Sequence, residues 1–358
     1  MSVVRSMILT GAVLAGAVGA LAQSQKKFDF AVIGDAPYGP ATGTAPDRVQ
    51  VYPSPAYERL ISDINDSLKQ SKSFVIHVGD IKEGNSRCDD NVYATNRDYF
   101  NTFDMAAIFT PGDNEWTDCH RTTNGGYNPL ERLAFLRQTL YTDDLSLGQK
   151  KLTLTRQTGY PENARWQFGQ VIFVTLNMSG SNNGFQNASS SGTVVNPYRT
   201  AMDAEYTARN AANMAWLNGA FDAAAADPKV KGVFIAIQAN PFERFLESGQ
   251  TYTISGYADF ISTLRTRTVE FNKPVVLAHG DTHYYRLDRP MTGTYPACVG
   301  NVQSPCSPLA APSSPADRID NLLRLEVFAQ NDVHWVKVSV DDEDPDLFSF
   351  SPQRVAGN

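Results

Sequence analysis

The sequence lacks the signatures that would place it quickly. It has no Gly-x-Ser-x-Gly elbow and no His-Glu-x-x-His pair, which argues against an exported hydrolase of the serine-nucleophile or zinc-peptidase type. Positive charge is in deficit: 31 Lys and Arg stand against 38 Asp and Glu, a net charge of -7. No basic face for neutralising a nucleic-acid backbone is therefore expected, although a small phosphate-bearing substrate stays open because a bound cation can reverse the local field. Only five histidines and four cysteines occur in 358 residues, and no two cysteines have the Cys-x-x-Cys spacing of a structural zinc site. After the first 22 residues no apolar run is long enough to span a bilayer. Repeats and linker-like stretches are missing too, so residues 23–358 read as a single domain, large enough for a sizeable core.

The N-terminus reads as an export signal over residues 1–22. Arg5 supplies the positive charge, Met7 to Leu21 is apolar or small, and Ala20-Leu21-Ala22 offers a small-x-small cleavage site. A secreted or periplasmic mature protein without a membrane anchor follows. Cysteines in that compartment pair by default. Of three possible connectivities, the closeness of Cys298 and Cys306 in a Pro- and Gly-rich stretch favours pairing them, which leaves Cys88 with Cys119. The sequons at Asn65, Asn177 and Asn187 are glycan acceptors if the source is eukaryotic. The sequence does not fix the oligomeric state.

Short apolar runs recur along the chain: Phe28 to Ile33, Phe74 to Val78, Met105 to Phe109, Val233 to Ile237 and Pro274 to Ala278. Runs of this length bounded by turn residues read as buried strands. Between them lie helical patterns: Tyr57 to Leu68, Val92 to Phe103, a helix capped by Asn128, an Ala-rich helix over 202–225 and one near 257–271. Further strands are expected at 151–156, 165–175, 321–328 and 334–340, and Ser179 to Thr193 reads as a long surface loop. The alternation predicts an α/β fold with two sheets.

Four Gly-Asp dipeptides, at 34–35, 79–80, 112–113 and 280–281, each follow one of these apolar runs. Ligands of α/β sheets bind beyond the carboxyl ends of strands, where glycine permits a sharp turn and the aspartate projects into the crevice. Carboxylates converging there repel one another and lose hydration, and divalent cations relieve both costs. Turn or helix-cap duty is the plainer alternative for each aspartate taken alone.

Taken in order, Asp35, then Gly79-Asp80-Ile81-Lys82-Glu83-Gly84, then Gly112-Asp113-Asn114-Glu115, then Gly280-Asp281-Thr282-His283 resemble the motifs of the calcineurin-like metallophosphoesterases. The resemblance spans most of the chain after residue 22. It implies an α/β/β/α sandwich of two mixed sheets flanked by helices, and a small phosphoester substrate. It also implies a dinuclear site, a pair of divalent cations whose bound hydroxide attacks phosphorus. Asp35, Asp80, Asp113, Asp281 and His283 fall on metal positions, with Asp80 on the bridging one.

The second motif is intact and the others depart from the pattern. Pro37 stands where the first motif has histidine. Asp113 replaces a metal-binding asparagine, Asn114 replaces the catalytic histidine, and Asp281 replaces the first histidine of the last motif. The isolated histidine ligand expected between the third and last motifs is missing, and Gln238 or Asn240 is the metal or substrate contact offered in its place. Oxygen-rich sites favour Mn²⁺, Mg²⁺ or Ca²⁺ over Fe or Zn. Asn114 is expected to orient the phosphoryl group. His279, His120 or Glu115 could take up proton handling, and His279 is the first choice. A protein that keeps the fold and binds metal or ligand without turnover is the alternative.

Overall fold

The computed structural model describes residues 26–69, 72–186, 196–242, 255–292, 318–330 and 332–358. The export signal, Asn187, Cys298 and Cys306 lie outside these residues.

The architecture is a four-layer α/β/β/α sandwich. One sheet contains β1 (Lys27–Ile33), β4 (Phe74–His77), β5 (Ala106–Phe109), β6 (Leu147–Gly148), β14 (Trp335–Asp341) and β15 (Phe348–Gln353), in the order β15-β14-β1-β4-β5-β6. A two-stranded ribbon, β2 (Ala41–Thr42) with β3 (Val49–Gln50), branches from the loop after β1. The second sheet contains β7 (Thr155–Gln157), β8 (Tyr160–Phe168), β9 (Val171–Thr175), β10 (Gly232–Ala236), β11 (Val275–His279), β12 (Arg286–Asp288) and β13 (Leu322–Glu326), in the order β12-β13-β11-β10-β9-β8-β7. Each sheet has a parallel centre, β1-β4-β5 in the first and β9-β10-β11-β13 in the second, with antiparallel strands towards the edges. Helices α1 (Pro55–Leu68), α2 (Asp90–Phe100) and α3 (Pro129–Leu140) cover the first sheet. The second sheet is covered by α5 (Arg199–Ala226) and α6 (Ala258–Phe271), and a single helical turn, α4 (Gly180–Asn183), lies after β9.

The unbroken apolar runs of the sequence follow from burial on both faces. Along β1, Phe28, Phe30 and Val32 face the second sheet while Ala31 and Ile33 meet the helices. Along β10, Phe234 and Ala236 point between the sheets and Val233 and Ile235 point to α5 and α6. Phe173 lies at the centre of the inter-sheet layer, against the rings of Phe30, Phe74, Trp166 and Phe234. Truncating such a ring to alanine costs about 3–5 kcal/mol. Asn128 caps α3 as the sequence predicts, its Oδ1 accepting the Leu130 N–H at 3.0 Å, whereas Glu131 turns to Arg132 instead of back to the cap.

Three expectations change. The strand expected at 165–175 is two strands, β8 and β9, divided at Gly169 with its positive φ of 57°. The described part of the expected surface loop, 179–186, is largely buried. Asn177 is fully buried and donates to Glu162, so it is no glycan acceptor in the folded chain. No described helix is long and apolar enough to cross a membrane.

His77, on the helix-facing side of β4, ties together the turns that follow β1 and β4. Its Nε2 donates to the Ala36 carbonyl at 2.7 Å and its Nδ1 accepts the Gly79 N–H at 3.2 Å, a pairing that requires the neutral ring. Burial lowers its pKa to about 4. Because the folded-state value lies below the unfolded one, its contribution to stability is complete above about pH 6.5 and is lost as pH falls toward 4, by about 3 kcal/mol at pH 4. Urea unfolding of the wild type and of His77→Gln across this range should show the wild type's advantage shrinking on acidification. Parallel pH profiles would refute the assignment.

Candidate metal and substrate crevice

The parallel strands of both sheets end on one side of the molecule, and the four Gly-Asp turns meet there. Asp35 follows β1, Asp80 follows β4, Asp113 follows β5 and Asp281 follows β11. Asp35, Asp80, Asp281 and His283 all have left-handed backbone, with φ of 47°, 59°, 81° and 68°. That conformation is strained for side-chain-bearing residues and gathers at functional sites. The turns are joined across the sheets: Asp35 N donates to the Gly79 carbonyl at 2.9 Å, and Asp281 N donates to the Asp35 carboxylate at 3.1 and 3.2 Å.

Close approach requires glycine at three places. A Cβ on Gly112 would lie 2.0 Å from Asp80 Oδ1, and one on Gly280 would lie 2.0 Å from Asp35 Oδ2. A Cβ on Gly180 would lie 2.7 Å from Asp281 Oδ1 and 2.8 Å from Asp113 Oδ2, which also shows how near these two carboxylates are to one point.

The crevice has a volume of about 330 Å³, and Asp80, Asp113, Asn114, Asp281 and His283 line it. Asp35 lies at its base, 3.5 Å from His283 Nε2. Asp80 is the most contacted: Oδ1 accepts the Asn114 N–H at 3.2 Å, and Oδ2 accepts from Tyr38 Oη at 3.0 Å, Asn114 Nδ2 at 2.9 Å and Gln238 Nε2 at 3.2 Å. Gln238 Oε1 is taken by Gly180 N at 2.5 Å, so its amide group presents donors to Asp80 and Asp281. Asn240 holds Asp281 through its backbone N–H at 2.9 Å, and its side chain turns away to Thr282.

Electrostatically the crevice is short of positive charge. Burial and the neighbouring carboxylates push Asp35, Asp80 and Asp281 well above the usual carboxylate range. Beneath them, Glu115 Oε1 accepts from Gly112 N at 2.6 Å and Asp80 N at 3.1 Å, while Oε2 has no hydrogen-bond partner among the described residues. Burial raises the Glu115 carboxyl to about 7 and lowers the Lys82 ammonium, close enough to Glu115 and Asp80 to feel both charges, to about 8.

The structure therefore brings Asp35, Asp80, Asp113, Asn114, Gln238, Asp281 and His283 together. The same does not hold for His279 or His120, and Glu115 lies against the Asp80 and Gly112 backbone without lining the crevice. His279 is completely buried at the end of β11, with Nδ1 against the Gly280 carbonyl and Nε2 without a partner, and the crevice wall does not include it. His120 turns to the Thr117 carbonyl at 2.8 Å. His334 packs on Phe328 and accepts the Val355 N–H, as a structural residue. Cys88 and Cys119 form a disulfide that joins the loop after Asp80 to the loop after Asp113.

Among the described residues, no three His, Cys, Asp or Glu side chains close around a common point as a ready-made metal cage. The donor chemistry nevertheless suits a hard cation: four carboxylates and one imidazole, with no Lys or Arg within hydrogen-bonding reach of the carboxylates in the contacts described above.

Two contributors escape a sequence reading. Tyr38, three residues after Asp35, reaches back to Asp80 Oδ2 and accepts from Asn114 Nδ2 at 2.9 Å. Ser181 reaches Asp113 Oδ2 at 2.7 Å from the turn α4, where Ser181, Asn182 and Asn183 are all left-handed. The run Ser-Asn-Asn-Gly is the signal that was available, since Asn and Gly tolerate this conformation best.

No family model matches the sequence, and none of the curated proteins compared with it does. Similar solved structures include a purple acid phosphatase from yellow lupin (Lupinus luteus) seeds, with 10% identity and a TM-score of 0.46, covering 92% of this chain and 54% of that one. The NAD nucleotidase of Haemophilus influenzae is another, with 14% identity and a TM-score of 0.41, covering 92% of this chain and 50% of that one. The chain thus spans about half the length of each.

The glycine contacts are testable. Gly112→Ala would force Asp80 and its turn aside and should lower stability by about 1–3 kcal/mol, the usual cost of overpacking. Denaturant unfolding reads this directly, and an unchanged midpoint would show that the approach of Gly112 to Asp80 is not tight.

Proposed function

We propose that the chain is a metal-dependent phosphoester hydrolase related to the calcineurin-like metallophosphoesterases, exported and acting as one domain on a small phosphoester. The observation that carries this reading is the convergence of Asp35, Asp80, Asp113, Asp281 and His283 where the carboxyl ends of two parallel sheet centres meet. Asp35 neighbours His283 at 3.5 Å, Asp113 and Asp281 both approach Gly180, and Asp80 lines the same crevice, so these are the residues that would hold divalent cations. Mn²⁺, Mg²⁺ or Ca²⁺ fit this donor set better than Fe or Zn. Such cations, when bound, supply Lewis-acid polarisation of the phosphoryl oxygens and an activated water.

The chain's own residues do the rest. Asn114 Nδ2 donates to Asp80 Oδ2 and to Tyr38 Oη, both at 2.9 Å, and Tyr38 Oη donates to Asp80 Oδ2 at 3.0 Å, so either group would reach a phosphoryl oxygen by exchanging its bond to Asp80. Burial holds the Tyr38 phenol protonated, so it acts as a donor at neutral pH. Gln238 and the Asn240 backbone fix the Asp281 carboxylate, and Gly112, Gly180 and Gly280 keep the turns close.

A second reading has its own observation. Asp80 Oδ2 already accepts three hydrogen bonds, and no histidine occupies the Asn114 position. A crevice that binds metal or ligand without turnover would look like this.

The two readings separate in one experiment. The hydrolase should cleave phosphoesters with Mn²⁺ or Mg²⁺, lose activity on chelation, and lose about a hundredfold or more in kcat/KM on Asp80→Asn, at least what removal of a metal's outer partners costs. Calorimetric Mn²⁺ binding without turnover on a panel of monoesters and diesters would favour the binding protein. Activity indifferent to chelation and to Asp80→Asn would sink both metal readings.

A further inference from the structure

The wall of the crevice next to Asp113 carries a built arrangement that the metal chemistry does not use. Arg121, on the loop stapled by Cys119, is the one Arg or Lys among the described residues lining the crevice. Its Nη2 lies 2.9 Å from Oδ2 of Asp118, itself almost fully buried, and 3.2 Å from Ser181 Oγ. Ser181 Oγ in turn donates to Asp113 Oδ2 at 2.7 Å. A continuous line of contacts therefore runs from the guanidinium to a candidate metal ligand.

Considerable structure is committed to holding Ser181 there. The turn α4 is left-handed at three consecutive side-chain-bearing residues, each disfavoured by about 1–2 kcal/mol. The wholly buried Arg209 offsets this by donating to the Asn183 side chain at 2.6 Å, the Asn183 carbonyl at 2.8 Å and the Asn177 carbonyl at 2.9 Å. Tyr257 Oη clamps the same turn, accepting from Asn183 N at 3.0 Å and donating to the Ser179 carbonyl at 2.9 Å. Strain maintained by this much surrounding structure is a reason to look for function at the residue it positions.

We propose that Arg121, positioned by Asp118 and Ser181, binds the terminal phosphoryl group and selects dianionic phosphomonoesters over diesters. The proposal rests on the phosphoesterase reading above and names the substrate class of that crevice. A monoester carries two negative charges on one phosphorus. Cations held by the carboxylates would match one end, and the planar guanidinium fork matches oxygens at the other. A diester has a single charge and a second organic group to place, which the guanidinium does not favour. Asn85, Asp118 and Ser181 make the surrounding wall polar, and among the described residues no Phe, Tyr, Trp or aliphatic side chain lines the crevice. A hydrophilic leaving group fits such a wall better than one that needs a ring to stack on.

The test titrates inorganic phosphate into the full chain by calorimetry, with and without Mn²⁺, for the wild type, Arg121→Gln, Arg121→Lys and Ser181→Ala. Loss of a charge-assisted contact should weaken phosphate binding about tenfold to a hundredfold in Arg121→Gln. Arg121→Lys should fall between, while Mn²⁺ affinity stays within about twofold. In turnover, Arg121→Gln should raise KM for a monoester by a larger factor than for a diester. Phosphate affinity within about twofold of wild type in both Arg121 variants, or monoester and diester rates falling in parallel, would overturn the proposal. If Arg121→Gln fails to fold, Arg121→Lys carries the comparison. A wild type that binds phosphate through Arg121 but binds no Mn²⁺ and hydrolyses nothing would uphold this assignment and refute the hydrolase reading.

Discussion

Like charge held close in a buried place is the constraint around which this structure is organised. Four aspartates reach one crevice from four separate turns, and at Asp35, Asp80 and Asp281 burial together with the neighbouring carboxylates makes the ionised form costly. A fold under no other demand would turn these side chains toward water. Here the backbone does the opposite. It adopts left-handed conformations at Asp35, Asp80, Asp281 and His283, keeps glycine at 112, 180 and 280 where a methyl group would collide with a carboxylate, and cross-links two of the loops through Cys88 and Cys119. A disulfide closing a loop of this size contributes about 2–4 kcal/mol, comparable to the strain gathered in the turns.

Two sheets are needed to bring the aspartates together. Asp35, Asp80 and Asp113 come from the first sheet, and Asp281, with Gln238 beside it, comes from the second. Because the aromatic layer around Phe30, Phe74, Phe173 and Phe234 fixes the spacing between the sheets, the core and the crevice are mechanically one unit. A change of volume in that layer is expected to be felt at the Asp281 to Asp35 contact, since packed interiors transmit displacement.

Much of this was legible in the sequence because the signals are local. Five short apolar runs mark strands, and a Gly-Asp pair after four of them marks the turns that carry the carboxylates. The Cys88–Cys119 pairing followed from simple elimination. What stayed hidden depends on contacts between distant segments. Nothing near Ser181 says that Arg209, in the middle of a helix, will hold its turn left-handed, so an Asn- and Ser-rich stretch read as surface although its described part, 179–186, is largely buried. Tyr38 was invisible because its partner Asp80 lies 42 residues away. The setting of Arg121 is likewise made by two separate segments, through Asp118 and Ser181 together. His279 is a different case: a histidine beside a Gly-Asp turn looks placed for proton transfer, but its ring is completely buried with Nδ1 against the Gly280 carbonyl and does not line the crevice.

The chemistry of the crevice turns on Gln238. Its amide has one acceptor and two donor hydrogens, and which end faces the carboxylates is settled by a neighbour. Gly180 N takes the oxygen, so the NH₂ group is left for Asp80 and Asp281. In this arrangement Gln238 acts as a neutral stand-in for positive charge and satisfies carboxylates that would otherwise face one another. Presenting its oxygen to a cation would instead leave the Gly180 N–H without its acceptor in a buried place, a loss of about 1–3 kcal/mol. A cation bound by Asp80 and Asp281 would have to gain enough from oxygen ligands to displace the amide donors, and under the proposed reading the left-handed turn bearing Gly180 and Ser181 would take part in that exchange.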